Sequence, residues 1–399
     1  MENANKKRLP RTVVILGLVS FLNDLASEIV TPLIPIVLAT LMSAGPVALG
    51  LVEGVADSVS AFIKLWSGRH SDWLGGQRKW LTFSGYLVSN IVRPFFGLAS
   101  SVAMFVGLRS VDRIGKGIRT APRDALLADS VAPEIRGYAY GFHRAMDNGG
   151  AMGGALIAAA VLTWSKLSVT QMIMLSAIPG TIGVLLIAFG IHEPVKTIAP
   201  AQRAALPPLK FSILSKPMQR YMLVLAMFTF ARASETFVVL RGHELGMTTV
   251  QLLLLWAAMY VTKSLSSVYG GKRADRLGME RQVLIGWGSL ATGLLLLALV
   301  SQGLSLWIAA VMYGLLAGLG EGAERGIVSG LADKKQRGTA FGWYNMTIGI
   351  AAIPAGLLFG TMWKFFGAGW AFVFAAIAAS LAAMVLHFWV WREVRVEAK

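Results

Sequence analysis

Long apolar stretches, each near the roughly 20 residues that a helix needs to cross a bilayer, follow one another along this 399-residue chain. Twelve are distinguishable, at 12–42, 45–67, 80–100, 103–128, 138–163, 169–191, 219–240, 248–269, 283–301, 305–331, 339–362 and 369–391. Only 15% of residues are charged, against about a quarter in a soluble domain. Lipid offers no partner to a backbone N–H or C=O, so spanning segments close their own hydrogen bonds as helices. The expected fold is therefore an all-α integral membrane protein with twelve transmembrane helices.

The net charge of +16 does not point to nucleic acid, because Lys and Arg gather in short segments between the apolar stretches, where they set orientation. With the N-terminus inside, the inner segments carry Arg78, Lys79, Arg136, Lys196, Arg203, Lys210, Lys272, Arg273, Arg276, Lys334, Lys335, Arg337, Arg392 and Arg395. The outer turns carry little more than Lys166, Arg241 and Lys364. An even number of spans then leaves both termini in the cytoplasm. The basic start "MENANKKRLPRTVV" precedes an apolar run too long for a signal peptide and lacks a small-residue cleavage site, so it reads as a retained first helix. Cysteine is absent and the five histidines are widely spaced, which leaves no disulfide, thiolate site or His/Cys metal cluster. No cofactor is expected. The missing cysteine and short tails suit a bacterial inner membrane.

One long polar connector, "HEPVKTIAPAQRAALPPLKFSILSKPMQR", separates the sixth stretch from the seventh. It divides the chain into an N-terminal six-helix bundle (1–192), a cytoplasmic linker (193–218) and a C-terminal six-helix bundle (219–399). The halves repeat. Gly68, Asp72, Gly75 and Arg78 match Gly271, Asp275, Gly278 and Arg281 at a constant offset, and Arg136, Gly137 and Gly141 match Arg337, Gly338 and Gly342 at nearly the same one. Two echoes in order imply a duplicated six-helix unit, an architecture of secondary transporters.

The stretch "GRHSDWLGGQRKWL" (68–81) resembles the loop motif between the second and third helices of the major facilitator superfamily, through Gly68, Asp72, Gly75, Arg78 and Lys79. Trp73 departs from the basic residue usual there; the second copy keeps Arg276. The resemblance covers the whole chain and is to the drug/proton antiporter branch. It implies two pseudo-symmetric six-helix bundles rocking about a central cavity, lined by helices 1, 4, 7 and 10. It also implies that Asp72 faces the N-terminal end of helix 11 and latches a cytoplasmic gate, since a helix N-terminus favours an anion. The bland alternative is a positive-inside stop signal. "RIGKGIRTA" (113–121) resembles the family's helix 4 motif through Arg113 and Gly117, with Lys116 and Arg119 departing from it. "GGAMGG" (149–154) is similar to the antiporter motif of helix 5, with Gly150 in place of its proline; small residues there also serve close helix packing.

Ionisable groups inside a bilayer usually face a cavity and mark function. Asp24 and Glu28 share a face of the first stretch, Glu53 and Asp57 of the second, and Glu321 and Glu324 of the tenth. Arg109, Arg113 and Lys116 share a face of the fourth, and the seventh carries Arg232 and Glu235. Mutual neutralisation, as of Asp112 with Arg113 or Arg232 with Glu235, is one reading. The other is that an acid carries a proton, Asp24 and Glu28 first and Glu321 and Glu324 next, while the basic face of the fourth helix holds an anionic or polar part of a solute.

These features predict a proton-coupled secondary active transporter of a small organic solute, working as a monomer by alternating access, with export by proton antiport. Proton symport of an organic anion is the alternative, and export of a metal ion or chelate a third. No catalytic residues are expected. "GLGEGAERG" resembles a phosphate loop only superficially, because no strand precedes it.

Overall fold

The computed structural model describes residues 9–30, 46–75, 77–164, 167–193, 210–232 and 235–391. The side chains of 46–58 and of Glu235 lie outside the described set. Fourteen α-helices follow in order among the described residues: α1 (Arg11–Val30), α2 (Pro46–Trp73), α3 (Lys79–Val92), α4 (Val102–Asp129), α5 (Arg136–Trp164), α6 (Val169–Leu175), α7 (Ala177–Gly190), α8 (Lys216–Arg232), α9 (Glu235–Glu244), α10 (Thr249–Leu277), α11 (Met279–Ala298), α12 (Gly303–Leu331), α13 (Arg337–Phe366) and α14 (Ala368–Val385). Among the described residues, eight spans are long and apolar enough to cross a membrane. The heavily charged α4 is not one of them, since Arg109, Asp112, Arg113, Lys116, Arg119, Arg123 and Asp124 all lie on it.

Local chemistry accounts for where helices begin and break. Ser101 caps α4 through the Met104 N–H, and Ser168 with Gln171 and Thr248 with Gln251 form capping boxes for α6 and α10. The expected helix 80–100 stops at Val92 and tightens into a 3₁₀ turn, Arg93–Leu98, which contains Pro94; proline supplies no N–H for an α-helical bond. The stretch 169–191 is two helices meeting at Ser176. The 68–81 motif is also less of a loop than its spacing suggests: α2 runs on to Trp73, so Gly68 and Asp72 ride its last turns. Gly75 (φ 74°) and Gly278 (φ 92°) make the two turns that follow α2 and α10, a conformation that costs glycine little and other residues much.

The chain forms two compact units. Unit 1 comprises 1–131, 146–207 and 333–346, and unit 2 comprises 132–145, 208–332 and 347–399. The opening turns of α5 thus belong with unit 2 and those of α13 with unit 1. In unit 1, α4 packs against α2 and α3, and α1 against α7. In unit 2, α12 packs against α10 and α11, and α14 against α11 and α8. Glycine makes these approaches close: a Cβ at Gly115 would lie 2.8 Å from the Gly85 oxygen, and one at Gly293 3.2 Å from the Tyr313 Cα. Van der Waals packing of small residues is the main adhesive where lipid removes the hydrophobic drive.

Candidate functional site

Asp72, at the end of α2, receives the first backbone amides of α13. Gly338 N–H donates to its Oδ1 at 3.0 Å, and Thr339 donates to Oδ2 through both its N–H (2.6 Å) and its hydroxyl (2.7 Å). A carboxylate at a helix N-terminus satisfies amides that have no partner in their own helix. Arg78, 1% exposed, bridges Asp72 (3.1 Å) and Asp129 (2.6 Å), and Arg337 also pairs with Asp129. Gly68 lets α13 approach, because a side chain there would press on the Gly338 carbonyl. All of this lies within unit 1.

Unit 2 contains the counterpart. Asp275 accepts the Gly137 and Tyr138 N–H groups of α5, each at 2.8 Å, and a Cβ at Gly137 would lie 2.6 Å from the Gly271 oxygen. The two echoes found in the sequence are therefore each other's partners, crosswise: the Gly/Asp copy of one half holds the Arg-Gly copy of the other. The copies are unequal. Arg281 is exposed and, among the described residues, makes no ion pair with Asp275. Lys79 joins neither cluster; its Nζ donates to the Ala188 carbonyl at 2.9 Å. Glu193, which no sequence pattern singled out, accepts the Arg78 and Lys79 N–H groups at 2.9 and 2.7 Å and so caps α3.

The interior of unit 1 is dominated by guanidinium groups. Arg93 lies 3.5 Å from Asp112 and donates to the Asn23 carbonyl (2.9 Å) and to Asn90 (3.0 Å). Arg109 stands 3.9 Å from Asp112. Arg119 donates to Ser89 (2.7 Å) beneath the Tyr86 ring, and Arg123 pairs with Asp124 at 2.9 Å. Asp24 accepts from Asn23 at 2.9 Å. Glu28 is half-buried, within electrostatic reach of Asp24, Lys116, Arg109 and Arg93. Arg113 is half-buried and Lys116 exposed. Glu53 and Asp57 fall on α2 and Glu235 opens α9, but their side chains lie outside the described residues. On α5, Gly154 abuts α1, where a Cβ would meet the Leu25 oxygen at 2.7 Å and the Glu28 Cβ at 2.8 Å.

Unit 2 contains a half-open cavity of about 230 Å³. Four charged side chains line it, from α8, α10 and α12, as two ion pairs: Arg232 with Glu324, and Lys263 with Glu321 at 3.0 Å. Trp287 Nε1–H donates to Glu324 at 2.8 Å, and the indole stacks on Phe228 with ring centroids 3.9 Å apart. Arg232 lies over the other ring of that stack, 5.1 Å from the Phe228 centroid. Ser267 donates to Glu321 at 3.2 Å. Lys263 was missed by the sequence reading, although a single lysine inside the apolar run 248–269 is itself a signal. Trp287 carried no signal, since tryptophan is equally ordinary at a lipid interface. Among the described residues, no group of three or more His, Asp or Glu side chains converges to hold a metal ion.

The chain matches the sequence profile of the Major Facilitator Superfamily over residues 16–323 and 236–399. It belongs to that family. An MFS-type transporter of Methanocaldococcus jannaschii, itself uncharacterised, is 29% identical over 399 residues, covering 97% of both chains. Uncharacterised proteins of Mycobacterium bovis and Mycobacterium tuberculosis are 24% identical over 393 residues, 95% of this chain and 92% of theirs. Among solved structures, the human organic anion transporter MFSD10 superposes with a TM-score of 0.81 at 17% identity, over 95% of this chain and all of that one. The proton:xylose symporter XylE superposes with a TM-score of 0.73 at 13% identity, over 95% of each. The all-α fold is that of the superfamily, whose members are transporters of small-molecule substrates and not enzymes, and the chain is a multi-pass membrane protein.

Proposed function

We propose that this chain is a proton-coupled secondary active transporter that moves a small organic solute across the bacterial inner membrane. It works by alternating access, as a monomer with both termini cytoplasmic and the halves divided near residues 193–218. The observation that supports it is the pair of acid–cation contacts in the unit 2 cavity. A carboxylate held by a cation stays ionised, and one that loses its cation in a dry site takes up a proton, so exchanging the cation's partner exchanges a proton. Asp72 and Asp275, with their glycines, serve as the latches of the cytoplasmic gate.

Of the two couplings open to such a site, proton symport of an organic anion is the better supported. Arg232 is the most exposed of the four charged side chains, so the cavity presents a cation first to an incoming solute. Export by antiport rests on "RIGKGIRTA" and "GGAMGG", and the latter glycines sit where α5 packs on α1. Inverted membrane vesicles with an acidified lumen separate the two. Antiport accumulates solute inside them. Symport drives it out, and in the Glu324→Gln variant the proton gradient no longer moves it. Flux equally independent of the proton gradient in the parent protein would refute proton coupling altogether.

A further inference from the structure

We propose that unit 2 carries a phospholipid site at the start of α11, where the phosphodiester of a membrane lipid is held by the first amides of that helix, by Arg281 and by the indole N–H of Trp391. α11 follows the Gly278 turn, and the Gly278 position offers no side-chain cap. Its first internal hydrogen bond runs from the Gln282 N–H to the Gly278 carbonyl, so the N–H groups ahead of it have no acceptor within the helix. Gly278, Met279, Glu280 and Arg281 all line an open cavity of about 570 Å³. Trp391 lines it as well and is 3% exposed, and its Nε1–H has no hydrogen-bond partner among the described residues. A buried donor without an acceptor is costly, and an acceptor that reaches it from the cavity removes the cost. Helix amides, a guanidinium and an indole N–H are all donors, and together they suit an oxyanion.

The duplicated helix of unit 1 shows what such an end accepts. α3 follows the Gly75 turn, and the Arg78 and Lys79 N–H groups there donate to the Glu193 carboxylate at 2.9 and 2.7 Å. Arg78 is buried against Asp72, whereas its counterpart Arg281 is exposed and open to a ligand. Position and lining select a lipid. α10 and α12 are membrane spans whose last residues, Leu277 and Leu331, line the cavity, which sets it at the level of lipid head groups. Met279, Ile327 and Leu331 give it apolar walls, suited to the glycerol and first methylenes of a lipid and not to a free hydrated anion. Glu280 lines the cavity too, and a singly charged phosphodiester sits beside that acid at less cost than a doubly charged phosphate monoester. Asp275 stands three residues before Gly278, so a bound head group steadies the turn on which that carboxylate rides.

The test uses the full chain in detergent, with dioleoylphosphatidylglycerol as the probe and dioleoylglycerol, glycerophosphate and inorganic phosphate as partial ligands. Native mass spectrometry counts the bound probe, and titration gives its affinity. The expected result is one tightly held phosphatidylglycerol per chain, which Gly330→Leu removes. Gly330 lines the cavity and a Cβ there meets nothing within 4 Å, so a leucine fills the space without straining the fold. Arg281→Ala weakens the binding about tenfold. Trp391→Phe, which keeps a ring and deletes the N–H, weakens it about threefold. Dioleoylglycerol, which lacks the phosphate, binds at least about tenfold more weakly than the probe. Binding that is unaltered in Gly330→Leu, or in both Arg281→Ala and Trp391→Phe, overturns the proposal. So does dioleoylglycerol binding as tightly as the probe, and so does glycerophosphate or inorganic phosphate doing the same, since the ligand is then a free anion. A probe that binds only after Glu393→Gln, two residues beyond Trp391, assigns the site to the chain's own carboxylate and also overturns it. If Gly330→Leu or Trp391→Phe does not fold, Arg281→Ala, at an exposed position, decides.

Discussion

Gly68→Ala tests the larger latch most sharply. A methyl group at position 68 would lie 2.8 Å from the Gly338 carbonyl carbon, closer still to its oxygen, and 3.1 Å from the Ala121 Cβ. These neighbours are helix backbone and a methyl fixed to it, so none can swing aside. Carbon atoms settle at about 3.5–4.0 Å, which requires the first turn of α13 to retreat by roughly 1 Å. The three bonds to Asp72, now 2.6, 2.7 and 3.0 Å, then stretch to about 3.6 Å or more, where little attraction remains. Hydrogen bonds to a charged group contribute about 1.5–3 kcal/mol each. Losing all three, with water replacing much of the loss, weakens the contact by about 3 kcal/mol, near 10²-fold in equilibrium. The chain has no cysteine, so Ser71→Cys introduces a single thiol. Ser71 is fully buried beside Gly338, and the thiol is reached only when α13 leaves. Its labelling by a water-soluble maleimide should be about 100-fold faster in the Gly68→Ala background. Equal rates in two variants of equal melting temperature would refute the latch.

Other expectations follow from the same contacts. Asp275→Asn should open its side more weakly, about tenfold in a matching labelling assay, because Asp275 holds two amides and, among the described residues, no arginine; an effect as large as that of Asp72→Asn would show the copies equivalent. Glu193→Ala strips the cap from α3 and should cost about 1 kcal/mol, read as a lowered melting temperature that Glu193→Asp partly restores. Lys263→Met leaves Glu321 facing the cavity without its lysine and should destabilise by about 3–5 kcal/mol; adding Glu321→Gln should recover much of that, and no recovery would mean the pair is not the cause. Arg113→Ala should abolish or uncouple transport in vesicles, and retained proton-driven flux would remove Arg113 from the mechanism.

Much of this architecture could be read before any coordinates. The spans follow from a solvent, lipid, that tolerates only internally hydrogen-bonded helices, so hydropathy finds most of them, although not the heavily charged α4. The duplication is visible because a turn with positive φ needs glycine and a helix N-terminus favours an acid, which keeps Gly75 and Gly278, Asp72 and Asp275 at one spacing. The limits of that reading are equally specific. Composition exposed Glu321, Glu324 and Arg232 as costly residues in an apolar setting and offered Glu235, whose side chain lies outside the described residues, as one partner for Arg232, but it could not show that Arg232 meets Glu324. It passed over Lys263, and it had no means of finding Glu193 or Trp287.

The sequence by itself determined that this chain crosses a membrane repeatedly as helices, that it is built from two related halves, and which residues are too polar to face lipid. Tertiary structure decided which of those residues meet. That depends on how closely α8, α10, α11 and α12 approach and in what register, and the approach is set by glycines such as Gly318 and Gly320, which bring neighbouring helices nearly into backbone contact. A shift of one residue along either helix turns a side chain by about 100°. The pairing of Lys263 with Glu321 and of Arg232 with Glu324 is therefore a property of packing between helices, and no pattern along one of them contains it.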